Sequence, residues 1–227
     1  MRVTRTATVT ATNGAFMVSV SAPSKSYYGT TITLTAVWND RTLGPFTGAI
    51  NWGDGSANTP IDQVQKSVSS IHNYSTVGTF TITVTVYDEG TLTTGTGTWS
   101  IQIAAQLAAT LSASPTSGKI PLPVTFTIGV SGGYTPYSWT LAYGDGTASD
   151  SGTVAGTKAH TYAKVGTWTA TLTVTDALGA TAIGRVVTYA SVPPIPDIVY
   201  LIPGLAPLIA VASVVAAQEL QKARIIG

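Results

Sequence analysis

The chain has two histidines, and each stands at the same distance from an aspartate: His72 lies 16 residues before Asp88, and His160 lies 16 residues before Asp176. A further aspartate precedes each histidine, Asp54 and Asp145, and each of these is flanked by glycines, Gly53 and Gly55 or Gly144 and Gly146. Imidazole beside carboxylate is the material of general-base catalysis or of a metal site. A carboxylate in a carbonyl-rich loop is also the material of a calcium site. The spacing argues against each. One histidine per repeat and no cysteine cannot assemble a zinc site, and no EF-hand-type spacing is present. The many serines lack a G-x-S-x-G elbow and a third partner. No catalytic residue, metal or cofactor is therefore expected. The structural role expected instead is an imidazole hydrogen-bonded near a Gly-Asp-Gly turn, with Tyr74 or Tyr162 in the core. The aspartate accepts backbone N–H groups, and its glycines take positive φ.

These residues belong to a longer repeated pattern. Trp52-Gly53-Asp54-Gly55-Ser56 leads to His72-Asn73-Tyr74 and then Val77-Gly78-Thr79-Phe80; Tyr143-Gly144-Asp145-Gly146-Thr147 leads to His160-Thr161-Tyr162 and then Val165-Gly166-Thr167-Trp168. The downstream half has a fixed length and only the loop before the histidine varies, which is the signature of a duplicated domain. At 227 residues the chain has room for two such domains and an accessory segment.

The elements that must position the motifs are strands. Thr79, Thr81, Thr83 and Thr85 alternate with Phe80, Ile82, Val84 and Val86, and Thr167 to Thr175 alternates in the same way. That period-2 pattern gives one buried and one hydroxyl-bearing face. Phe16 to Ala22, Thr31 to Trp38, Thr91 to Ile103 (with Gly95 and Gly97 loosening its start), Pro121 to Ile128, Tyr137 to Tyr143 and Gly184 to Tyr189 read as further strands. Turn signals about every ten residues point to an all-β sandwich. The expected organisation is an N-terminal strand or arm (1–13), a first sandwich (14–103), a linker (104–108), a second sandwich (109–190), a Pro-rich spacer (191–204) and a hydrophobic helix (205–227). Residues 1–12 read as a strand rather than a signal peptide, because no apolar core follows the basic residues.

Charged residues make up 9% of the chain, hydrophobic ones 44%, and the formal net charge is +1. Enough apolar material is present to bury a core, so disorder is excluded. No Lys/Arg cluster exists to hold nucleic acid. Without cysteine, disulfide staples are excluded too. Near the C-terminus the chemistry changes. Val192-Pro193-Pro194-Ile195-Pro196 is a stiff extended spacer. Ile198 through Gln218 carries no charge, and a helix from about Leu205 to Ile225 would be roughly 30 Å long, enough to cross a hydrocarbon core. Lys222 and Arg224 suit its last turn and the inner side of a membrane. Burial of this helix between subunits of an assembly, or docking on a sandwich, is the other reading, and its small residues fit close helix contact.

With both signatures set out, the chain resembles tandem PKD domains, immunoglobulin-like sandwiches common in surface proteins and secreted hydrolases. The second unit carries the resemblance through Tyr143-Gly144-Asp145-Gly146-Thr147, His160-Thr161-Tyr162 and Val165-Gly166-Thr167-Trp168. The first keeps Trp52 to Ser56 and His72 to Tyr74, but Pro23 to Gly29 replaces the usual opening turn. The resemblance implies fold and leaves function open.

Three functional expectations follow. The first is a non-enzymatic structural protein projecting its sandwiches outward from a C-terminal membrane anchor, with the short tail inside. It would serve as a virion spike, vertex or capsid-associated component, or as a cell-surface-layer or filament component. Its partners would be the membrane and other structural subunits in a homo-oligomer or larger assembly. The second is a carbohydrate-binding or adhesion module presenting Tyr27, Tyr28, Trp38 and Trp99 to glycans, with Tyr134 and Tyr137 as a weaker candidate pair. The third is a tethered accessory domain of a hydrolase. Trp52, Trp139 and Trp168 are expected in the core.

Overall fold

The computed structural model describes residues 16–40 and 44–192. The expected N-terminal strand and the hydrophobic C-terminal helix lie outside them. The described residues up to Ala190 fall within one compact unit. Within it the strands form two immunoglobulin-like β-sandwiches in tandem.

The first sandwich contains β1 (Val18–Ser21), β2 (Lys25–Tyr27), β3 (Thr31–Trp38), β4 (Phe46–Asn51), β5 (Thr59–Gln63), β6 (Ser67–Asn73), β7 (Gly78–Asp88) and β8 (Thr93–Ala104). The second contains β9 (Ala108–Ser114), β10 (Ser117–Lys119), β11 (Leu122–Ser131), β12 (Ser138–Ala142), β13 (Asp150–Gly152), β14 (Gly156–Tyr162), β15 (Gly166–Thr175) and β16 (Thr181–Ser191). A three-stranded sheet in the order β1-β3-β6 faces a five-stranded sheet in the order β2-β8-β7-β4-β5. The second sandwich repeats this strand for strand, as β9-β11-β14 and β10-β16-β15-β12-β13. The duplication seen in the motifs therefore extends to the whole topology.

Alternation decides which side of each strand is buried. In β3, Ile32, Leu34, Ala36 and Trp38 point inward while Thr31, Thr33, Thr35 and Val37 face solvent. They meet Ile82, Val84 and Val86 of β7 and Ile101 and Ile103 of β8 in one core. Phe126, Leu141, Leu172 and Val174 form the corresponding core of the second sandwich. Each such aliphatic or aromatic side chain, fully buried, stabilises the fold by about 1.5–3 kcal/mol before entropy is counted.

One local expectation is corrected, and two features go beyond what the sequence pattern implies. Pro23 to Gly29 contains β2, which adds in parallel to the end of β8 with Lys25 opposite Gln102 and Tyr27 opposite Ala104; the sequence differs, yet it fills the place of β10 in the repeat. Gly95 and Gly97 do not loosen β8. They are buried, and a Cβ there would stand 2.6 Å from the carbonyl oxygens of Phe16 and Val18, so glycine lets the β1 segment lie directly on β8. Finally, β4, β5, β6, β13 and β14 are strands whose alternation is weak. In β6 Val68 packs against the core while the larger Ile71 points outward and is 68% exposed. Its register is set by antiparallel pairing with β3, Ile71 opposite Thr33.

Candidate functional site

The Gly-Asp-Gly turn follows β4 in the first sandwich and β12 in the second, and the histidine stands at the end of the facing sheet, on β6 or β14. Gly53 has φ +79° and Gly144 has φ +85°. A Cβ at Gly53 would sit 2.4 Å from the Thr81 carbonyl oxygen, and one at Gly144 2.5 Å from that of Thr169. Glycine is thus needed twice over at this position, for backbone conformation and for close approach to β7 or β15.

The turn delivers its carboxylate to the opposite sheet. One oxygen of Asp54, Oδ1, accepts from the Ser56 amide at 3.1 Å and the Ser56 hydroxyl at 2.6 Å. The other, Oδ2, lies 2.7 Å from Nε2 of His72. In the second sandwich Asp145 accepts from the Thr147 amide and hydroxyl at 3.1 and 2.6 Å, and lies 2.8 Å from His160 Nε2. Burial pushes both carboxyls up, but the hydrogen bonds from Ser56 and His72, or from Thr147 and His160, outweigh it and hold both below the ordinary carboxylate range. An ionised carboxylate only accepts, so each imidazole must carry its hydrogen on Nε2 and donate it.

The aromatic residues complete the motif. His72 stacks on Trp52 with centroids 4.5 Å apart and meets Tyr74 edge-on at 4.7 Å. His160 stacks on Tyr143 at 3.9 Å and meets Tyr162 edge-on at 4.7 Å. The Tyr74 hydroxyl donates to the Trp52 carbonyl at 3.0 Å, and the Tyr162 hydroxyl to the Tyr143 carbonyl at 2.9 Å. Both tyrosines are fully buried, and burial raises both phenols above their usual range. The aromatic that opens each motif also reaches the next strand: Trp52 Nε1 donates to Thr59 Oγ1 at 2.9 Å, and the Tyr143 hydroxyl to Asp150 Oδ2 at 2.7 Å. Every polar group named here is engaged inside its own sandwich. The arrangement ties one sheet to the other.

The remaining acidic candidates stand elsewhere. Asp88 and Asp176 close the far ends of β7 and β15, away from the Gly-Asp-Gly turns. Asp88 Oδ1 accepts from the Gly90 amide and Oδ2 from the Thr91 hydroxyl. Asp176 Oδ1 accepts from the Leu178 and Ala180 amides at 2.9 and 3.0 Å. Among the described residues no cluster of three or more His, Cys, Asp or Glu is placed to hold a metal ion.

The four aromatic candidates do not form one exposed stripe. Trp38 and Trp99 are 4% and 5% exposed and belong to the first core, because the period-2 pattern of β3 and β8 turns them inward. Trp99 Nε1 donates to the Pro23 carbonyl at 3.2 Å. Tyr27 is half-buried and bonded to the second sandwich, leaving Tyr28 as the exposed member. The weaker pair, in the loop between β11 and β12, is turned inward too. Tyr134 is buried, and the Tyr137 hydroxyl turns back to the Gly132 carbonyl at 2.6 Å. Trp52 and Trp139 are buried, and Trp168 packs half-buried against the second core.

This geometry defines the class: tandem immunoglobulin-like sandwiches, each pinned by an Asp–His–Tyr cluster. Residues 108–188, the second sandwich, match the PKD domain family model. Among solved structures, the chain is similar to the PKD domain of an M14-like peptidase from a Thermoplasmatales archaeon, with 23% identity, 38% of this chain and 91% of that one covered, and a TM-score of 0.31. It is similar to the fibronectin(III)-like modules of CbhA from Clostridium thermocellum, with 10% identity, coverage of 82% and 95%, and a TM-score of 0.37. It is also similar to three N-terminal domains of the Highly Immunogenic Outer Capsid protein of bacteriophage RB49, with 14% identity, coverage of 78% and 59%, and a TM-score of 0.34. No curated protein gives a significant match.

Proposed function

We propose that the chain is a non-enzymatic structural protein that holds two sandwiches outward from a C-terminal membrane anchor, as a virion spike, vertex or capsid-associated component or as a cell-surface-layer or filament component. One observation carries the reading. The residues best suited to chemistry, Asp54 with His72 and Asp145 with His160, spend their hydrogen bonds on joining the two sheets of a sandwich. A group so committed supports shape under load rather than turnover. Backbone ladders running the length of β7 and β8, and of β15 and β16, supply the resistance to extension. The anchor rests on the uncharged run from Ile198 to Gln218, which lies outside the described residues. Among the described residues no helix is long and apolar enough to cross a membrane. For the binding-module alternative, Tyr28 is exposed while Trp38 and Trp99 are buried.

Fractionation of the native source tests the proposal. The chain is expected in the membrane pellet or in released particles at stoichiometric amounts, and to leave the membrane only with detergent. Recovery as a detergent-free soluble monomer, or turnover of any substrate, overturns it.

A further inference from the structure

Tandem sandwiches on a short linker ordinarily move relative to one another unless something locks the joint. Here β8 ends at Ala104 and β9 begins at Ala108, and side chains from both sandwiches close over the three residues between. The Tyr134 ring of the second sandwich lies edge-on to Tyr27 of the first, with centroids 5.6 Å apart, and Lys25 Nζ stands 4.9 Å from its centroid. Its hydroxyl is within 2.8 Å of the Ser26 carbonyl and 2.6 Å of the Gln102 carbonyl, both in the first sandwich. The Gly133 amide donates to the Ala105 carbonyl at 2.9 Å, and Gln106 Nε2 donates to the Tyr28 carbonyl at 2.9 Å. Gly132 passes so close that a Cβ there would overlap the Gln106 carbonyl oxygen.

The repeat itself shows that this contact is a specific addition. Asp88 satisfies its Oδ2 locally, from Thr91 three residues on. The equivalent position after Asp176 is Gly179, which has no hydroxyl. Asp176 Oδ2 instead accepts from the Tyr134 amide at 2.9 Å and from the hydroxyl of Tyr27, in the other sandwich, at 2.6 Å. Asp176 is 6% exposed and Tyr134 5%, so the Tyr134 amide bond is buried and the Tyr27 bond partly so, and breaking them leaves poorly hydrated groups unsatisfied.

We propose that Tyr27, Tyr134 and Asp176 form an interdomain clamp that makes the two sandwiches a single stiff rod with a fixed angle at residues 105–107. The chain contains no cysteine, so cysteines introduced at Thr96 and Thr169, exposed positions on β8 and β15, accept spin labels without background. The full chain in detergent, measured by double electron–electron resonance, should give one narrow distance distribution. Tyr27→Phe combined with Tyr134→Phe keeps both rings and removes both hydroxyls, and should broaden that distribution about twofold as domain motion returns. Circular dichroism checks that both sandwiches remain folded. Should the double variant unfold, Tyr27→Phe alone, which removes one oxygen from a half-buried side chain, decides the matter by the same broadening. A broad distribution in the parent, or an unchanged narrow one in the folded variant, overturns the clamp.

Discussion

Removing one oxygen from each sandwich tests whether the Asp–His–Tyr cluster is a fastener between sheets. Tyr74→Phe keeps the ring stacked on Phe80 at 4.6 Å and edge-on to His72, so packing is unchanged. It deletes the donor to the Trp52 carbonyl, in a place where Tyr74 is fully buried. A buried acceptor left without its donor costs about 1–3 kcal/mol. For a domain of this size a loss of about 2 kcal/mol lowers the melting temperature by roughly 8–16 °C. Tyr162→Phe makes the same cut in the second sandwich, where the bond is 2.9 Å rather than 3.0 Å, so the two losses should agree within about 0.5 kcal/mol. Denaturant unfolding of the full chain, read by midpoint at constant slope, measures both. A change below about 0.5 kcal/mol, the range of ordinary surface substitutions, would refute the reasoning for that sandwich, and a large difference between the two would refute their equivalence.

The other expectations concern the same turns and the acid range. Gly53→Ala should destabilise far more than Gly55→Ala, by about 3 kcal/mol or more against roughly 1–2, because both have positive φ but only Gly53 faces a backbone carbonyl at 2.4 Å; equal melting losses would contradict this. Asp54 and Asp145 are held below the ordinary carboxylate range when folded, so the stability they contribute is complete above the unfolded value of about 4 and disappears as pH falls through the folded value. Unfolding midpoints collected down the acid range should therefore drop steeply for the parent and less so for Asp54→Asn with Asp145→Asn; parallel curves would sink the assignment. Asp176→Asn should weaken both its own turn and the interdomain clamp, since its carboxylate receives three amides and the Tyr27 hydroxyl. Loss of the turn alone, with label distances unchanged, would separate the two roles.

Much of the fold was legible because polar residues, mostly threonine, alternate so regularly with inward-facing ones in β3, β7, β8 and β15. Where alternation fails, the reading failed with it. Ser-rich β6 places Ile71 outward, and β5 contains Pro60 and Asp62, which suit a sheet edge and hide a strand. The Gly-Asp-Gly turn and its histidine were legible as a pair because both copies keep them. The partner oxygens were not, since a tyrosine-to-carbonyl bond depends on which sheet each strand joins. Residue type alone groups Tyr27, Tyr28, Trp38 and Trp99, while strand parity sends Trp38 and Trp99 inward. The interdomain bond from Tyr27 to Asp176 spans 149 residues and leaves no local signature. Its trace is a substitution within the repeat, the absence at Gly179 of the hydroxyl that Thr91 supplies.

That substitution bears on how the whole chain works. Sandwiches of this kind need something to hold their two sheets in register at the ends, and a disulfide between sheets often does it. This sequence has no cysteine. It places an ionised carboxylate from one sheet against an imidazole from the other, and a buried tyrosine hydroxyl against a carbonyl across the same gap. Such a fastener needs no oxidising compartment, and charge-assisted bonds are among the stronger non-covalent ones. The same device, a buried carboxylate gathering donors, recurs at the other end of the second sandwich, and there one donor comes from the neighbouring domain. The proposed structural rod needs stiffness within each module and across the joint, and at both places aspartates receive tyrosine, histidine or amide hydrogens. The two requirements separate experimentally: Tyr74→Phe should lower the melting temperature and leave the interdomain distance distribution narrow, while Tyr27→Phe should broaden the distribution with little effect on the melting of the first sandwich.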